Sequence, residues 1–527
     1  MKRFISLFVF VLIFFSYLYA QGEVEAGRMS RNDLYGTARS MSMGGAFGAL
    51  GGDLTGVSIN PAGIAVYRSS EVVGTADLSR ERSNVGDISR DKTSFKMDNM
   101  GFVGYFPLRG NTIPFINFGF AYNKVKSFDK KIAAYNGEPA SSLMDYIADI
   151  STHENVDPAK LDFNLTKDPF SSGAPWLSVL GFNSYLIDDY QDEQGYFYLP
   201  LHQEHITNSL ELVENGSVNN YDFTVGTTLG KKINVGLTLS VTDIYYNLSS
   251  RYSEEFERGE SAGFDLRNYL TTEGAGVGAK IGVIYRPVNE LRIGVAYHTP
   301  VWCSLTDTYS AEMEENVTEY VIDTYPDYEP GKTFSGLYGH DYRFKTPDKW
   351  VMSIAGVIGN KFIASLDYEL ANYQNMKFKG EVNELDAESM YDNDNRYISE
   401  DYEPASTVRV GLEYRFTPQF YGRLGYAWMQ NPYDAEYREG TNIDRVTAIA
   451  GSTTIYRIEG DASYFTGGLG YRLSRNFYLD LAFVYKTQKD DLYPFPTVFD
   501  SEGSPLINRY SLENNNIKGL LTLGYKF

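Results

Sequence analysis

Three arginines carry the side chains best suited to binding a ligand. Arg292, Arg409 and Arg423 lie in segments where apolar and polar residues alternate. The same polar face is predicted to hold His298 and Glu413, together with Asn117, Lys280, Asp367, Glu369, Arg415 and Tyr421. A guanidinium group presents a fork of N–H donors that fits a carboxylate. Either these charges pair with one another and anchor neighbouring chain, or one arginine binds the carboxylate of a ligand.

The sequence carries no motif typical of an enzyme. A GxSxG nucleophile elbow, a P-loop, an HExxH helix and a GxGxxG loop after a strand are all absent from it. His202 and His205 form an isolated HxxH pair. Cys303 is the only cysteine, which excludes thiolate metal clusters and disulfides within the chain. We therefore expect no catalytic residue, no cofactor and no metal site.

The elements that must position the arginines are β-strands. From residue 69 onward apolar and polar residues alternate, most regularly at 477–486, where every second residue is Leu or aromatic. Apolar-out, polar-in alternation is typical of strands in an outer-membrane barrel. About fourteen such segments are predicted, at 70–80, 98–108, 113–130, 219–229, 233–250, 274–286, 291–305, 342–357, 361–379, 404–416, 419–430, 462–473, 476–489 and 516–527. We therefore predict an all-β fold, an antiparallel transmembrane β-barrel of about 14 strands.

The connections between the predicted strands support a barrel. Six connections are short, at 109–112, 230–232, 287–290, 359–360, 417–418 and 474–475. They alternate strictly with longer, polar connections. Short periplasmic turns and longer extracellular loops follow this order in outer-membrane barrels. The largest connection, 131–220, contains the apolar residues Trp176, Leu177 and Phe182. They have two interpretations, a packed cap over the barrel mouth or an extracellular capture site for an apolar ligand.

The two ends of the chain predict its location. Residues 1–20 combine Lys2 and Arg3 with an apolar core from Phe4 to Phe15 and with Ala20 ahead of Gln21, which predicts a signal peptide. No later apolar run is long enough for a spanning helix. The last strand ends on Phe527, a terminal aromatic that resembles the signal read by the barrel assembly machinery. We expect a multi-pass protein of the outer membrane of a Gram-negative bacterium, in contact with outer-membrane lipid.

The charge of the chain restricts its partners. Without the predicted signal peptide the 47 basic residues fall to 45 against 68 acidic ones, a net charge of −23. Binding to nucleic acid depends on Lys and Arg that neutralise phosphates. Nucleic acid is therefore not expected among the partners.

A glycine-rich segment precedes the first predicted strand. Residues 38–50 predict a short helix, and Asn60-Pro61-Ala62-Gly63 predicts a turn. Glycine permits close approach of the backbone, which suits a compact insert in a narrow space. The segment also contains apolar residues such as Phe47 and Leu54 that need burial, which favours a plug over a loose tail. We predict an N-terminal hatch at 21–68 and a barrel at 69–527.

Asn60-Pro61-Ala62-Gly63, with Met43 to Phe47 upstream, resembles the FadL/TodX family of outer-membrane transporters for hydrophobic compounds. The resemblance implies a fourteen-stranded barrel with a hatch that bears an NPA motif. It also implies passive transport of long-chain fatty acids or other hydrophobic small molecules, with hatch movement and lateral exit through the wall. Distant relatives of the family act in protein secretion. They imply an alternative, a barrel that docks secreted proteins or envelope components.

Overall fold

The computed structural model of the chain describes residues 22–527, except 111, 202–204, 258–260, 318–328, 360, 382–389, 440–450 and 501. Its wall consists of 14 antiparallel strands. They are β1 (Glu71–Val85), β2 (Ile88–Pro107), β3 (Phe115–Ser127 and Lys130–Asn136), β4 (Ile206–Leu229), β5 (Ile233–Phe256), β6 (Ser261–Val288), β7 (Leu291–His298 and Trp302–Val317), β8 (Tyr338–Lys345 and Lys349–Ile358), β9 (Phe362–Asn372 and Lys377–Gly380), β10 (Pro404–Arg415), β11 (Phe420–Met429), β12 (Tyr456–Arg472), β13 (Phe477–Tyr493) and β14 (Tyr510–Lys526).

The wall is a closed sheet. Each strand pairs with the next along the chain, and β14 pairs back with β1 over its whole length. Closure leaves no wall strand with an unpaired edge in lipid, where unsatisfied backbone groups are costly. In β13, Leu481 and Phe483 are exposed on the outside, whereas Ala482 and Val484 are buried on the inside. The predicted barrel and its outward apolar face are confirmed.

Several strands extend further than predicted at the extracellular end. β5 has 24 residues and β6 has 28. The outward residues of the upper part of β5, such as Asn247, Ser249 and Arg251, are polar, so an apolar face does not mark this part in the sequence. The expected connection 131–220 is wrong in extent, because β3 continues to Asn136 and β4 begins at Ile206.

The short connections at the other end are confirmed. They lie at 108–114, 230–232, 289–290, 359–361, 416–419 and 473–476. The expected strict alternation with long connections is wrong in two places, since only 86–87 join β1 to β2 and only 257–260 join β5 to β6. The first is a tight turn between strands that extend above the apolar band, and the second lies mostly outside the described residues. The end with the six turns is the periplasmic one, as is usual for outer-membrane barrels.

The N-terminal segment fills the interior of the barrel. It contains α1 (Glu23–Ser30), α2 (Ala38–Met41), α3 (Leu54–Ile59) and a 3-10 turn (Pro61–Val66). Its apolar side chains pack on inward side chains of the wall in separate clusters. The predicted plug is confirmed, although the helix expected at 38–50 ends at Met41. It ends there because Gly44 and Gly45 adopt φ of 64° and 76°, which a helix does not allow.

A cap covers the extracellular end. It contains α4 (Leu143–His153), α5 (Trp176–Asn183), α6 (Asp392–Asp401) and α7 (Ala435–Glu439). Its buried residues form one hydrophobic cluster with Val24, Ala26 and Met29 of α1. The hatch therefore runs from the cap down to the start of β1 at the periplasmic end. No helix of the described residues has the length and apolar character to cross a membrane.

Candidate functional site

A cavity of about 190 Å³ lies in the lumen between the hatch and the wall. The hatch contributes residues 29–35 and the end of α3, and strands β3 to β11 contribute inward side chains. Its charged or ionisable lining residues are Arg31, Asp33, Lys124, Lys280, His298, Lys349, Glu369 and Arg409. Six of these carry basic groups, so the cavity combines apolar lining with an excess of cations.

Arg409 is the predicted arginine that lines the cavity. Its Nη2 donates to Glu369 Oε2 at 2.6 Å, and Lys349 Nζ lies 3.6 Å from the other oxygen of the same carboxylate. The Nε and Nη1 atoms of Arg409 are buried and have no hydrogen-bond partner among the described residues. Buried polar groups are normally paired, so these two donors are unsatisfied in the closed arrangement, and an acceptor reaches them only when the neighbouring hatch residues move.

Lys124 is a second cation of the cavity, which the sequence did not predict. It is 8% exposed and makes no ion pair with a described carboxylate. β3 has a bulge between Lys124 and Lys126, and both lysines are buried on the lumen side. Lys126 Nζ donates to the backbone oxygen of Arg28 at 2.7 Å. A bulge breaks the two-residue period, so alternation alone does not identify Lys124.

Polar contacts from the wall hold the end of α3. Lys280 Nζ lies 3.0 Å from the Asp222 carboxylate, which also accepts a hydrogen bond from Ser58 of α3. The Nε2 atom of His298 lies 2.8 Å from the backbone oxygen of Ile59. His298 therefore contacts the hatch. The described residues contain no group of three or more His, Cys, Asp or Glu arranged to hold a metal ion.

The Asn60-Pro61-Ala62-Gly63 turn is fixed by the side chain of Asn60. Its Oδ1 accepts from the Ala62 N–H at 3.1 Å, and its Nδ2 donates to the backbone oxygens of Gly48 at 2.8 Å and Val283 at 3.3 Å. The first two bonds close the turn within the hatch. The third joins the turn to β6, so Asn60 connects the motif directly to the wall.

Glycines of the wall allow the hatch backbone to approach closely. A Cβ at Gly236, Gly282 or Gly294 would clash with residues 48–61 of the hatch. A second patch, formed by Gly411, Gly425 and Gly468, contacts residues 42–44 of the hatch in the same way. We call these two patches the glycine cradles. They position the turn against β5 to β7 and the loop after α2 against β10 to β12.

The other two predicted arginines are engaged with protein groups. Arg292 donates to the backbone oxygen of Leu50 in the hatch. Arg423 binds Glu413 at 2.6 Å and Asp480 at 2.5 Å, and Glu413 also binds Arg39 of the hatch at 3.2 Å. All three arginines, His298 and Glu413 thus face the lumen as expected. The structure distributes them over separate contacts with the hatch.

The wall ladder is interrupted beside the cavity. Residues 299–301 of β7 and 346–348 of β8 lie opposite each other between regular stretches of pairing. Pro300 and Pro347 lie at their centres, and proline has no N–H to donate to a ladder. β9 is broken at the same level by the 3-10 turn Tyr373–Asn375. The predicted unbroken spans 291–305, 342–357 and 361–379 are therefore wrong at this level.

The interruption adjoins the cavity directly. Thr299, Val301, Thr346, Pro347 and Tyr373, which come from all three broken strands, are among the lining residues. Between β7 and β8 two hydrogen bonds span it, from Thr346 N to Val301 O at 3.0 Å and from Val301 N to Thr346 Oγ1 at 2.9 Å. Between β8 and β9 one backbone bond spans it, from Asn372 N to Asp348 O at 3.1 Å. We call this feature the wall break. It is a place where little backbone pairing separates the lumen from the membrane.

The apolar residues predicted for capture lie in the cap. Trp176 is 8% and Leu177 is 1% exposed, and Phe182 is partly buried against the same cluster. The Trp176 ring packs on Tyr309 and Tyr338, with ring centroids 5.0 and 4.8 Å apart. This geometry is that of a packed cap, and the capture role stays a prediction.

Residues 259–494 match the model of a family described as outer membrane protein transport protein (OMPP1/FadL/TodX). The fold is similar to the crystal structure of a Pseudomonas aeruginosa FadL homologue, with a TM-score of 0.53, 11% identity, and coverage of 94% of this chain and 100% of that one. It is also similar to a deltaS2 mutant of the TodX monoaromatic hydrocarbon channel, with a TM-score of 0.52, 11% identity, and coverage of 93% and 98%. No curated protein matches the chain.

Proposed function

We propose that this outer-membrane β-barrel, whose residues 259–494 match the FadL/TodX family model, carries long-chain fatty acids or similar anionic apolar molecules by passive diffusion. The observation that carries the proposal is the Arg409 guanidinium. It lines a lumen cavity and keeps two buried donors without a partner among the described residues. A carboxylate fits such a fork, and the apolar lining accepts the adjoining chain.

Lys124 supports the same ligand class. Lys124 lines the cavity and has no described carboxylate within ion-pair distance, and the charges of Asp98 and Asp77 act on it from further away. The residues that line the cavity include more cations than anions. Placing an anion between Arg409 and Lys124 would offset the cost of burying these charges. A neutral hydrocarbon would leave that cost in place. We therefore favour a ligand with an anionic head and an apolar tail.

The size of the cavity implies that the hatch moves. Pockets that enclose small-molecule ligands usually have volumes of roughly 300 to 1,000 Å³. The cavity of about 190 Å³ accommodates the head of a long amphiphile and only part of its tail. Displacing α3 and residues 29–35, which form one side of the cavity, would enlarge it. In this proposal the hatch is the gate.

The proposed route to the membrane is lateral, through the wall break. The break adjoins the cavity, and only short-range contacts such as those between Val301 and Thr346 cross it. On the outside it is flanked by Trp302 and Trp350, which are 53% and 43% exposed. An apolar tail could pass between these side chains into lipid without crossing water. Lateral exit therefore needs a local opening and no unfolding of the barrel.

Transport is tested by the uptake of labelled fatty acid into cells with and without the gene. We expect uptake to fall when the gene is deleted and to return when it is restored. Export of secreted proteins is measured in the same cells. Unchanged uptake together with a loss of secreted proteins would reverse the proposal.

Docking of secreted proteins or envelope components is the second candidate. The observation in its favour is the continuous hydrophobic cluster that joins the cap to α1 of the hatch. A fused cap and hatch would present one rigid extracellular surface to a protein partner. Cargo transport requires this cluster to separate at least in part, and docking does not.

A further inference from the structure

A group of four basic side chains occupies the outer face of β8 and β9. Arg343 and Lys345 lie on β8, opposite Lys379 and Lys377 of β9 in the strand register. The residue between each pair, Phe344 on β8 and Phe378 on β9, is 2% exposed and faces inward. Since strand side chains alternate between faces, the four basic residues face outward. We call them the basic patch.

The basic patch places like charges directly across from each other. The Arg343–Lys379 and Lys345–Lys377 pairs are cross-strand neighbours, an arrangement that destabilises a sheet when nothing neutralises it. The chain as a whole has a net charge of −21, so carboxylates are abundant elsewhere. None of the described carboxylates forms an ion pair with the four side chains, and Arg343 instead donates to the backbone oxygen of Gly380 at 3.1 and 2.9 Å.

The acidic residues nearest in sequence lie at the extracellular rim of the patch. Asp341 accepts a hydrogen bond from Thr306, and Glu381 accepts one from Ser304. Both serve as acceptors for hydroxyl groups of β7. The four cations therefore form a continuous positive surface that faces away from the lumen.

The height of the patch matches the head groups of outer-leaflet lipid. Below it, Met352 and Ile354 of β8 are 55% and 45% exposed on the lipid-facing side. Trp350 follows, and Trp302 lies directly opposite Lys345 in the register. An apolar band, then aromatic residues, marks the boundary of the membrane around a barrel. The basic patch comes next toward the extracellular end.

We propose that the basic patch binds the phosphate groups of a lipid in the outer leaflet. Phosphate accepts several charge-assisted hydrogen bonds. The guanidinium group of the arginine can bind two phosphate oxygens at once, and each lysine ammonium group supplies a compact positive charge. The acyl chains of the same lipid would lie along Trp350, Met352 and Ile354. The bound anion would also remove the repulsion between the two cross-strand pairs. This site lies on the outer side of the wall, directly above the wall break, and the transport cavity lies on the inner side.

The test is lipid binding by the purified full chain in detergent micelles. Native mass spectrometry would count bound lipid A in its bisphosphorylated and its dephosphorylated form. A variant with Arg343→Gln, Lys345→Gln, Lys377→Gln and Lys379→Gln removes the patch, and a milder variant changes Lys377 and Lys379 only. The matched control, Arg251→Gln with Lys332→Gln, Lys489→Gln and Arg509→Gln, removes four surface cations that are paired with carboxylates.

We expect wild type and control to bind bisphosphorylated lipid A and to release it at high salt. The fourfold variant should bind at least about tenfold more weakly, because it lacks the four cations that attract the anionic head group. The milder variant should fall between them, with unchanged mobility of the folded barrel on gels. Equal binding by the fourfold variant, an equal loss in the control, or equal binding of the dephosphorylated lipid would overturn the proposal.

Discussion

The three predicted arginines differ in what they can still bind. Arg423 has two carboxylate partners, and Arg292 is bonded to the hatch backbone and keeps one buried donor, Nε, without a described partner. Arg409 shares Glu369 with Lys349 and keeps two donors without a described partner. The alternation of apolar and polar residues in the sequence places all three arginines on the lumen face, but it does not show which of them has donors left for a ligand. The distinction depends on which acidic residues neighbouring strands bring alongside, and that follows from register.

Glu23 of α1 predicts a pH dependence at the extracellular end of the hatch. Its side chain is 1% exposed, and burial raises the pKa of this carboxyl to about 8. A carboxyl whose pKa is higher in the folded chain stabilises the fold while it is protonated. That contribution is lost as the pH rises through the folded pKa. We therefore expect α1 to loosen above about pH 8.

Hydrogen exchange of residues 23–30 measures this loosening. Wild type should lose protection between about pH 6 and about pH 9, after correction for the intrinsic rate. Glu23→Gln keeps the size of the side chain and removes its ionisation, so this variant should lose less protection than wild type over this range. The remaining loss comes from Glu25 of the same helix, because burial raises the pKa of that carboxyl to about 7. Equal protection of wild type at both pH values would contradict the argument.

At the scale of elements, the glycine cradles predict a sharp effect of single side chains. Gly282 touches Asn60, and a Cβ at this position would clash with the Asn60 side chain. Gly282→Leu should therefore displace the hatch turn and increase leakage of small solutes through the barrel. Gly356→Leu is the matched control, because a Cβ there meets no atom within 4 Å. Leakage that is the same in both variants would show that the cradle does not hold the hatch.

The wall break predicts a position-specific block of transport. Cysteines at Val301 and Thr346, in a Cys303→Ser background, would permit a cross-link across the break. We expect the cross-link to reduce fatty acid uptake severalfold and a reducing agent to restore it. Cysteines at Ile293 and Ile354, which are paired in the unbroken ladder, provide the control. If both cross-links inhibited uptake equally, or if neither inhibited it, the break would be excluded as the route.

The strands could be predicted from the sequence where apolar and polar residues alternate regularly. Outward apolar residues identify the part of each strand that lies in lipid, so all fourteen segments are found. The extracellular parts of β4, β5 and β6 have polar residues on the outside, and no apolar period marks them. Pro300 and Pro347 were visible in the sequence inside predicted strands. A proline in the interior of a strand indicates a break in pairing, so this feature could have been predicted.

At the scale of the whole molecule, the barrel and its plug follow from the sequence, and the cavity does not. A closed wall of fourteen strands leaves a lumen that needs occupants, which makes a glycine-rich N-terminal segment a plug. The cavity, in contrast, forms where a bulge at Lys124, the hatch residues 29–35 and the inward side chain of Arg409 meet. These contacts join residues far apart in the chain, and their spacing carries no periodic signal.

The central claim is that the lumen binds the carboxylate of an apolar ligand at Arg409. It is tested most directly by measuring the affinity of the purified barrel for a long-chain fatty acid and for the alcohol of the same chain length. We expect wild type to prefer the acid by about tenfold or more, as one or two charge-assisted hydrogen bonds imply. Arg409→Gln should lose this preference, and Arg251→Gln on the outer surface should keep it. Equal affinity of wild type for acid and alcohol would contradict the claim.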